Sequence, residues 1–217
     1  MNSFEDLGVP QNLLNKLSAQ GIDEPTPIQY KAIPKALEGR DILGLAQTGT
    51  GKTAAFVLPL LAQVLKIGGK REEKSVQSLI LAPTRELAKQ IETTIKAFVE
   101  GSHLRVRLVV GGVSIAGQIK RLSKGSDILV ATPGRLIDLL NRNAVRLDDT
   151  KFLVLDEADQ MLDLGFIHSL RKIADLLPEN LQTMLFSATM PKKMGELASS
   201  YLRDPIRVEA APSGKVA

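Results

Sequence analysis

Short apolar runs alternate with longer stretches of helical periodicity from about residue 40 to the end of the chain. The apolar runs predict strands at Asp41–Ala46, Ser78–Ala82, Arg105–Val110, Asp127–Ala131, Phe152–Leu155, Thr183–Phe186 and Ile206–Val208. The stretches between them predict helices at Lys52–Lys66, Arg85–Glu100, Ser114–Leu122, Arg135–Asn141, Phe166–Leu176 and Lys192–Tyr201. Because strands and helices alternate, we expect an α/β fold with a mostly parallel central sheet and helices on both faces.

Polar or glycine- and proline-rich clusters follow the predicted strands directly. They are Gln47-Thr48-Gly49, Pro83-Thr84-Arg85, Gly111-Gly112, Thr132-Pro133-Gly134-Arg135, Asp156-Glu157 and Ser187-Ala188-Thr189. The carboxyl ends of parallel strands lie on one rim of an open sheet, and ligands bind there. Turns are polar in any protein, and this alone could explain the clusters. It would predict similar clusters before the strands, but the residues at the strand starts are less distinctive. We therefore expect the clusters to meet on one surface.

Composition narrows the classes of protein that fit this pattern. The 217 residues are 44% hydrophobic, which suffices for one large core, and no linker interrupts the middle of the chain. The net charge of +4 permits a polyanionic partner without requiring one. The absence of cysteine excludes disulfides, thiolate zinc sites and cysteine nucleophiles. Neither a signal peptide nor an apolar run of membrane-spanning length is visible, so we expect a cytoplasmic protein with no membrane partner.

A phosphate-binding loop is predicted between the first strand and the helix that follows it. The sequence there is Ala46-Gln47-Thr48-Gly49-Thr50-Gly51-Lys52-Thr53. The glycines let backbone N–H groups surround phosphates, and the helix N-terminus adds its positive dipole end. Lys52 would reach the β- and γ-phosphates of a nucleotide, and the Thr53 hydroxyl would ligate Mg²⁺. Ala46 stands where the general pattern has its first glycine.

An acidic pair, Asp156-Glu157, follows the strand at Phe152–Leu155. A carboxylate at this position can hold the Mg²⁺ that bridges the phosphates, and its neighbour can orient or deprotonate the attacking water. We assign the metal to Asp156 and the water to Glu157. Taken alone, such a pair is commonly a helix N-cap.

The tetrad Asp156-Glu157-Ala158-Asp159 and six further motifs resemble the DEAD-box family of ATP-dependent RNA helicases. In chain order the other motifs are Phe4 with Gly21-Ile22-Asp23-Glu24-Pro25-Thr26-Pro27-Ile28-Gln29, then Ala46–Thr53, Pro83-Thr84-Arg85-Glu86-Leu87-Ala88, Gly111-Gly112, Thr132-Pro133-Gly134-Arg135 and Ser187-Ala188-Thr189. Alanine is the usual residue of this family at the position of Ala46. The departure from the general pattern therefore supports the resemblance.

The resemblance implies a nucleotide-recognition role for two residues near the N-terminus. Gln29 would read the adenine edge through paired hydrogen bonds, and Phe4 would stack on the ring or pack beside it. Without the resemblance, Phe4 is interpreted as a hydrophobic staple and Gln29 as a surface polar residue.

The resemblance also implies which residues contact RNA. These are Pro83, Thr84, Arg85, Gly112, Thr132, Pro133, Gly134 and Arg135. Small turns with hydroxyls, N–H groups and arginine suit the sugar–phosphate backbone, so binding independent of base sequence is expected. Thr132 with Pro133 can serve at the same time as a helix N-cap followed by proline in the first turn.

A coupling role between the nucleotide and RNA sites is implied for Ser187 and Thr189, which would bond back to Asp159. Capping of the helix that begins near Pro191 explains the spacing of these residues almost as well.

The resemblance covers the first RecA-like domain of the family. We expect residues 1–209 to form this ATP-binding domain and residues 210–217 to begin a linker to a second RecA-like domain that is not in the sequence. The cofactors implied are ATP and Mg²⁺, and the partners are RNA and that second domain. The domain alone is expected to be monomeric and to hydrolyse ATP poorly. A DNA translocase of the same fold and a nucleotide-gated RNA clamp without efficient hydrolysis are the alternatives.

Overall fold

The computed structural model describes residues 3–68 and 71–210. Its sheet has seven strands, β1 Ile42–Leu45, β2 Val76–Leu81, β3 Val106–Val109, β4 Ser126–Ala131, β5 Phe152–Leu155, β6 Gln182–Ser187 and β7 Ile206–Glu209. All neighbouring pairs are parallel, in the order β3-β4-β2-β5-β6-β1-β7. The predicted α/β fold is confirmed, and each predicted strand end lies within two residues of the observed end.

Nine helices surround the sheet in the described ranges. They are α1 Gln11–Ala19, α2 Pro27–Leu37, α3 Lys52–Val64, α4 Arg85–Val99, α5 Ile115–Leu122, α6 Pro133–Asn141, α7 Ala158–Asp163, α8 Ile167–Leu176 and α9 Lys192–Tyr201. The six predicted helices are present, while α1, α2 and α7 were not predicted. Helix α2 begins at a proline and contains Pro34, and α7 has only six residues, so periodicity is weak in both.

The sheet is buried on both faces, as its apolar strands predict. In β4, Ile128 and Val130 belong to the hydrophobic cluster that contains residues of α1 to α4, while Leu129 and Ala131 belong to the cluster on the opposite face. The two layers of helices thus hold the sheet between them, and its rims remain for binding. Within the described part of the chain, no helix is both long and apolar enough to cross a bilayer. The expected linker lies outside the described residues except for Ala210.

Candidate functional site

All six polar clusters lie at the carboxyl-terminal rim of the sheet, because every strand that precedes one runs in the same direction. The strand order divides this rim into two halves. The loops after β3, β4 and β2 form one half and carry the residues implied in RNA contact. The loops after β5, β6 and β1 form the other half: those after β1 and β5 carry residues implied in nucleotide and metal binding, and those after β5 and β6 carry the residues implied in coupling. Loops separated by about a hundred residues in the sequence are therefore neighbours in space.

The phosphate-binding loop and the acidic pair meet directly. Lys52, the first residue of α3, places Nζ 2.9 Å from Oδ1 of Asp156 and 3.4 Å from Oε1 of Glu157. The Thr48 hydroxyl donates to Oε1 of Glu157 at 3.1 Å. A cation, two carboxylates and a glycine-rich helix start thus share one small volume, which is the set of groups that binding a metal–polyphosphate requires.

Asp156 is a buried carboxylate whose only contact with a positive charge, among residues 3–68 and 71–210, is Lys52. Burial raises its pKa, the Lys52 ammonium opposes that rise, and the Glu157 carboxylate adds to it. Lys52 Nζ lies within hydrogen-bonding distance of Oδ1, but neither oxygen of Asp156 has a partner with full hydrogen-bond geometry within the described residues. Buried polar groups are normally satisfied, so these oxygens are suited to an incoming ligand.

This donor set fits Mg²⁺. The ion prefers oxygen ligands and keeps several waters, so one or two protein groups with substrate phosphates are sufficient. Asp156 is such a group, and the Thr53 hydroxyl, on the residue after Lys52 in α3, is a second candidate. No group of three or more His, Cys, Asp or Glu side chains placed to hold a metal exists among residues 3–68 and 71–210.

Glu157 has a left-handed backbone, with φ 51° and ψ 52°. A residue other than glycine in this region costs about 1–3 kcal/mol, and such strain persists where the surroundings hold it in place. Glu157 occupies the N-cap position of α7, yet its side chain makes no capping hydrogen bond. The helix-cap interpretation of the acidic pair therefore does not account for Glu157, whose carboxylate turns towards Thr48 and Lys52 instead.

Gln29 connects the start of α2 to the phosphate-binding loop. Its Oε1 accepts from the backbone N–H of Thr26 at 3.0 Å, in a capping box, and its Nε2 donates to the Gly51 carbonyl at 3.0 Å. The interpretation of Gln29 as a surface polar residue is wrong, since only 4% of it is exposed. A primary amide has two N–H donors and two acceptor lone pairs, so one of each remains for a ligand. Phe4 is also buried, within the core cluster that includes α1.

Of the two glycines in the phosphate-binding loop, Gly51 is the one where an added side chain would clash with neighbouring residues. Its φ is 83°, and a Cβ there would lie 2.7 Å from both Nε2 of Gln29 and Oγ1 of Thr26. We expect Gly51→Ala to lower the free energy of unfolding by about 1–3 kcal/mol and to weaken nucleotide binding, because the loop must move to relieve the strain. Thermal unfolding and calorimetric titration with ATP measure the two effects.

Gly195→Ala is the matched control for this substitution. Gly195 lies within α9, has no left-handed backbone and has open space around its Cβ position. Alanine is preferred to glycine inside helices by about 0.5–1 kcal/mol, so this variant should be as stable as the wild type or more so, with unchanged nucleotide affinity. Equal behaviour of the two variants would contradict the role given to Gly51.

The first RNA-implied motif is ordered by contacts between two loops. Thr84 caps α4 by accepting from the Leu87 backbone N–H at 3.2 Å. Arg85 donates from Nη1 to the Gly111 carbonyl at 3.3 Å. A Cβ on Gly112 would clash with the same Nη1, so glycine permits the close approach. Pro83 precedes them as a buried residue after β2. The arginine and the two glycines therefore form one continuous surface.

The second RNA-implied motif opens α6. Thr132 is its N-cap and Pro133 its first residue, although the Thr132 side chain makes no capping hydrogen bond. Gly134 follows, and a Cβ placed on it would lie 3.5 Å from the ring of Phe166. Arg135 donates from Nη1 to the Val113 carbonyl at 3.0 Å and to Oε1 of Gln118 at 3.1 Å. The motif is thus joined to the loop after β3.

Gln118 is a site residue that sequence reasoning missed. It is 2% exposed, and its Nε2 donates to the Val110 carbonyl at 3.0 Å while its Oε1 accepts from Arg135. It therefore connects α5 to the end of β3 and to the first turn of α6. The available signal was a polar residue four positions before the apolar Leu122 on the inner face of a predicted helix.

The bond implied between the last motif and Asp159 is present for one of its two residues. The N–H and hydroxyl of Thr189 donate to Oδ2 of Asp159 at 3.2 and 2.9 Å. The Ser187 hydroxyl donates instead to the Thr189 carbonyl at 2.6 Å, so Ser187 supports Thr189 and does not contact Asp159. Helix α9 begins after Pro191 without a side-chain cap, which removes the capping alternative. The coupling role itself stays a prediction.

Comparison with known proteins agrees with this arrangement. The family profile described as DEAD/DEAH box helicase matches residues 26–197. The chain is 48% identical over 214 residues to DEAD-box ATP-dependent RNA helicase 24 of Oryza sativa subsp. japonica, covering 99% of this chain and 28% of that protein. It is similar to the crystal structure of a DEAD box protein from the hyperthermophile Methanococcus jannaschii, with a TM-score of 0.88 and 38% identity over 96% of this chain and 56% of the other.

The matched profile covers most of the described residues. It includes six of the seven motifs in full, and of the first motif it includes residues 26–29. The chain spans about a quarter of the rice relative and a little over half of the archaeal one. It belongs to the DEAD/DEAH box helicase family.

Proposed function

We propose that this chain is the nucleotide- and RNA-binding half of an ATP-dependent RNA helicase core. It binds ATP with Mg²⁺ at the loops after β1 and β5 and binds the RNA backbone at the loops after β2, β3 and β4. Together with a second RecA-like domain it hydrolyses ATP and separates short RNA duplexes. The 2.9 Å contact between Lys52 and Asp156 carries this proposal, because it joins the phosphate-binding loop to the acidic pair.

Each nucleotide-binding residue has a chemical task in this proposal. The N–H groups of residues 47–51 and the Lys52 ammonium take the phosphates when Lys52 leaves its carboxylate partners. Thr53 and Asp156 would hold Mg²⁺, which would neutralise charge on the phosphates. The remaining donor and acceptor of Gln29 pair with the adenine edge. GTP is then disfavoured, since each unpaired buried polar group costs about 1–3 kcal/mol.

Glu157 orients and deprotonates the water in the hydrolytic step. The oxygen of the water forms a bond to the γ-phosphorus, the bond between that phosphorus and the bridging oxygen breaks, and the proton passes to the Glu157 carboxylate. The contact between the Thr48 hydroxyl and Glu157 holds this carboxylate at the loop.

The RNA surface lies beside the nucleotide site on the same rim. Arg85, the Gly111-Gly112 loop and the start of α6 offer a guanidinium, backbone N–H groups and a hydroxyl, which recognise phosphates and sugars and no base. Asp159 lies two residues after Glu157 and accepts hydrogen bonds from Thr189, which follows β6. A movement of the acidic pair when nucleotide binds would therefore be transmitted to the loop after β6.

The test is ATP hydrolysis by the full-length protein with single-stranded RNA, with the DNA of the same sequence, or with neither. We expect strong stimulation by RNA alone. Equal stimulation by DNA would favour a DNA translocase of the same fold, and no stimulation by either would contradict the proposed RNA role.

A second candidate function applies to the chain by itself, as a nucleotide-gated RNA clamp. The chain spans 56% of the archaeal DEAD box protein, which supports a second domain that completes the catalytic site. An arginine supplied from outside a phosphoryl-transfer site accelerates turnover by about 10³–10⁵. Single-turnover hydrolysis by this chain, with and without the remaining part of the protein, separates the clamp from the enzyme. The cytoplasmic location and the monomeric state expected for the chain stay predictions.

A further inference from the structure

Strand β3 forms one edge of the sheet and pairs only with β4 among the described strands. The carbonyls of Arg105 and Val109 accept from N–H groups of the chain at β4. Since successive residues of a strand point their N–H and C=O groups to alternate sides, those of Val106 and Leu108 point away from the sheet. An edge of this kind is a template on which another strand can pair.

A groove runs along this edge between α4 and α5. Two adjoining cavities of about 370 and 540 Å³ share Lys96, Val106 and Arg107, so they form one continuous depression along the strand, which we call the edge groove. Its floor includes the strand residues Val106 to Val110, and Leu122 adds further apolar surface from α5. The groove therefore offers apolar contact and unpaired backbone groups at the same place.

The edge groove is strongly basic. Five cationic side chains and one carboxylate line the cavity of about 370 Å³, a net charge of +4, which equals the excess over the whole chain. The cations are Arg85, Lys89, Lys96, Arg107 and Arg121. The carboxylate of this cavity, Glu92, is paired with Lys96 at 3.4 Å, and Glu100 lines the adjoining cavity. The other four cations form no ion pair with a carboxylate among the described residues.

Arg107 shows the local field most directly. It lies in the edge strand itself, half-buried, and its Nε has no hydrogen-bond partner among the described residues. Burial lowers the pKa of Arg107, and the nearby Arg105, Arg121 and Arg71 lower it further, against the opposing carboxylate of Asp127. An anion in the groove would accept a hydrogen bond from the unpaired N–H and would reduce the repulsion among these cations.

We infer that the edge groove binds an extended acidic segment of a partner protein, which adds a strand to β3 while its carboxylates pair with the cations of α4, α5 and Arg107. The outward groups of Val106 and Leu108 favour a peptide over a nucleic acid, because a peptide backbone supplies both a donor and an acceptor at two-residue spacing. This inference goes beyond the proposed function and does not rest on it. Since Arg85 lines the groove and donates to Gly111, the bound segment reaches the surface proposed for RNA.

The test uses fluorescein-labelled ten-residue peptides and fluorescence anisotropy with the 217-residue chain. The probe alternates glutamate and valine. One control replaces glutamate by lysine, and two others carry N-methyl groups on alternate residues, in either register, which removes pairing donors at constant charge. We expect the acidic probe to bind and the lysine peptide and at least one N-methylated peptide to bind about tenfold more weakly or worse. Equal binding of all four peptides would overturn the inference.

Substitutions in the groove locate the contact. We expect Arg107→Glu and Arg121→Glu each to weaken binding of the acidic peptide about tenfold, while Arg171→Glu, an exposed arginine of α8, has no effect. Leu108→Pro removes an outward N–H at an edge position, where proline is tolerated, and should also weaken binding. Circular dichroism checks that each variant is folded. If Leu108→Pro does not fold, the N-methylated peptides still test the backbone pairing with β3.

A nucleic acid is the competing occupant of the edge groove. Oligouridylate of ten nucleotides is titrated into the same variants. If the acidic peptide does not bind while Arg107→Glu and Arg121→Glu weaken the oligonucleotide alone, the groove is an RNA surface and the inference is wrong. If the peptide binds with the expected variant pattern and competes with RNA, the inference holds and the groove lies next to the RNA surface.

Discussion

We expect Lys52→Ala to abolish measurable ATP binding and to destabilise the fold at the same time. The first effect follows from loss of the cation that takes the phosphates. The second follows because Asp156 is fully buried and has Lys52 as its counter-ion, at 2.9 Å. Removing one partner of a buried ion pair costs about 3–5 kcal/mol, since the other charge is left uncompensated. Calorimetric titration with ATP and chemical denaturation measure the two effects.

A double variant separates these two consequences. Asp156→Asn in the Lys52→Ala background removes the uncompensated charge, so we expect recovery of much of the lost stability with no recovery of ATP binding. Lys193→Ala, at an exposed position of α9, serves as the control and should change neither quantity. Wild-type affinity for ATP in Lys52→Ala would remove the phosphate-loop assignment.

The pH dependence of Lys52→Ala gives a further check on the role of Asp156. Burial raises the pKa of this carboxyl in the folded protein, so its protonated form is favoured there. The resulting contribution to stability is complete below the ordinary carboxyl pKa and is lost as the pH rises through the raised value. Without Lys52 the pKa rises further, because its ammonium opposes the effect of burial. The stability difference between wild type and Lys52→Ala should therefore shrink as the pH falls.

We expect Glu157→Gln to keep ATP bound and to reduce RNA-stimulated turnover of the full-length protein by about 10²–10⁴-fold, the usual contribution of a general base. Glutamine retains a carbonyl oxygen that can accept from the Thr48 hydroxyl, so the loop contact is preserved. It also removes a negative charge 3.4 Å from Lys52, which favours the incoming phosphates. Steady-state hydrolysis and nucleotide affinity are measured on the same preparation.

The control for this variant is Glu179→Gln. Glu179 is exposed and precedes β6, at the opposite rim of the sheet from the site. It should hydrolyse ATP at the wild-type rate. If Glu157→Gln also turns over at that rate, the carboxylate does not act on the water, and the proposed hydrolytic step is wrong.

Periodicity and strand ends were sufficient to predict the fold and the rim on which the motifs lie. Buried parallel strands are continuous apolar runs, and Phe152–Leu155 was predicted with its observed ends. The direction of a strand then decides which end of it carries a loop of the site. Gln47 and Asp156 could be placed on one rim for this reason alone, without knowledge of any contact.

Features that depend on tertiary packing could not be predicted in this way. The strand order, which divides the rim between two sets of loops, follows from long-range pairing and leaves no local pattern. Gln118 was missed because a buried amide is satisfied by the Val110 carbonyl and Arg135, which lie on other elements. Gln29 was interpreted without the family resemblance as a surface residue for the same reason, since its partner Gly51 is 22 residues away.

The double attachment of Gln29 restricts that position more than the helix does. A capping box accepts either glutamine or glutamate at its third helical residue. Glutamate would accept equally well from Thr26 and start α2, but it would set a carboxylate oxygen against the Gly51 carbonyl, where Gln29 now donates. Of the two amino acids that suit this position of a capping box, only the neutral one can also donate to the phosphate-binding loop.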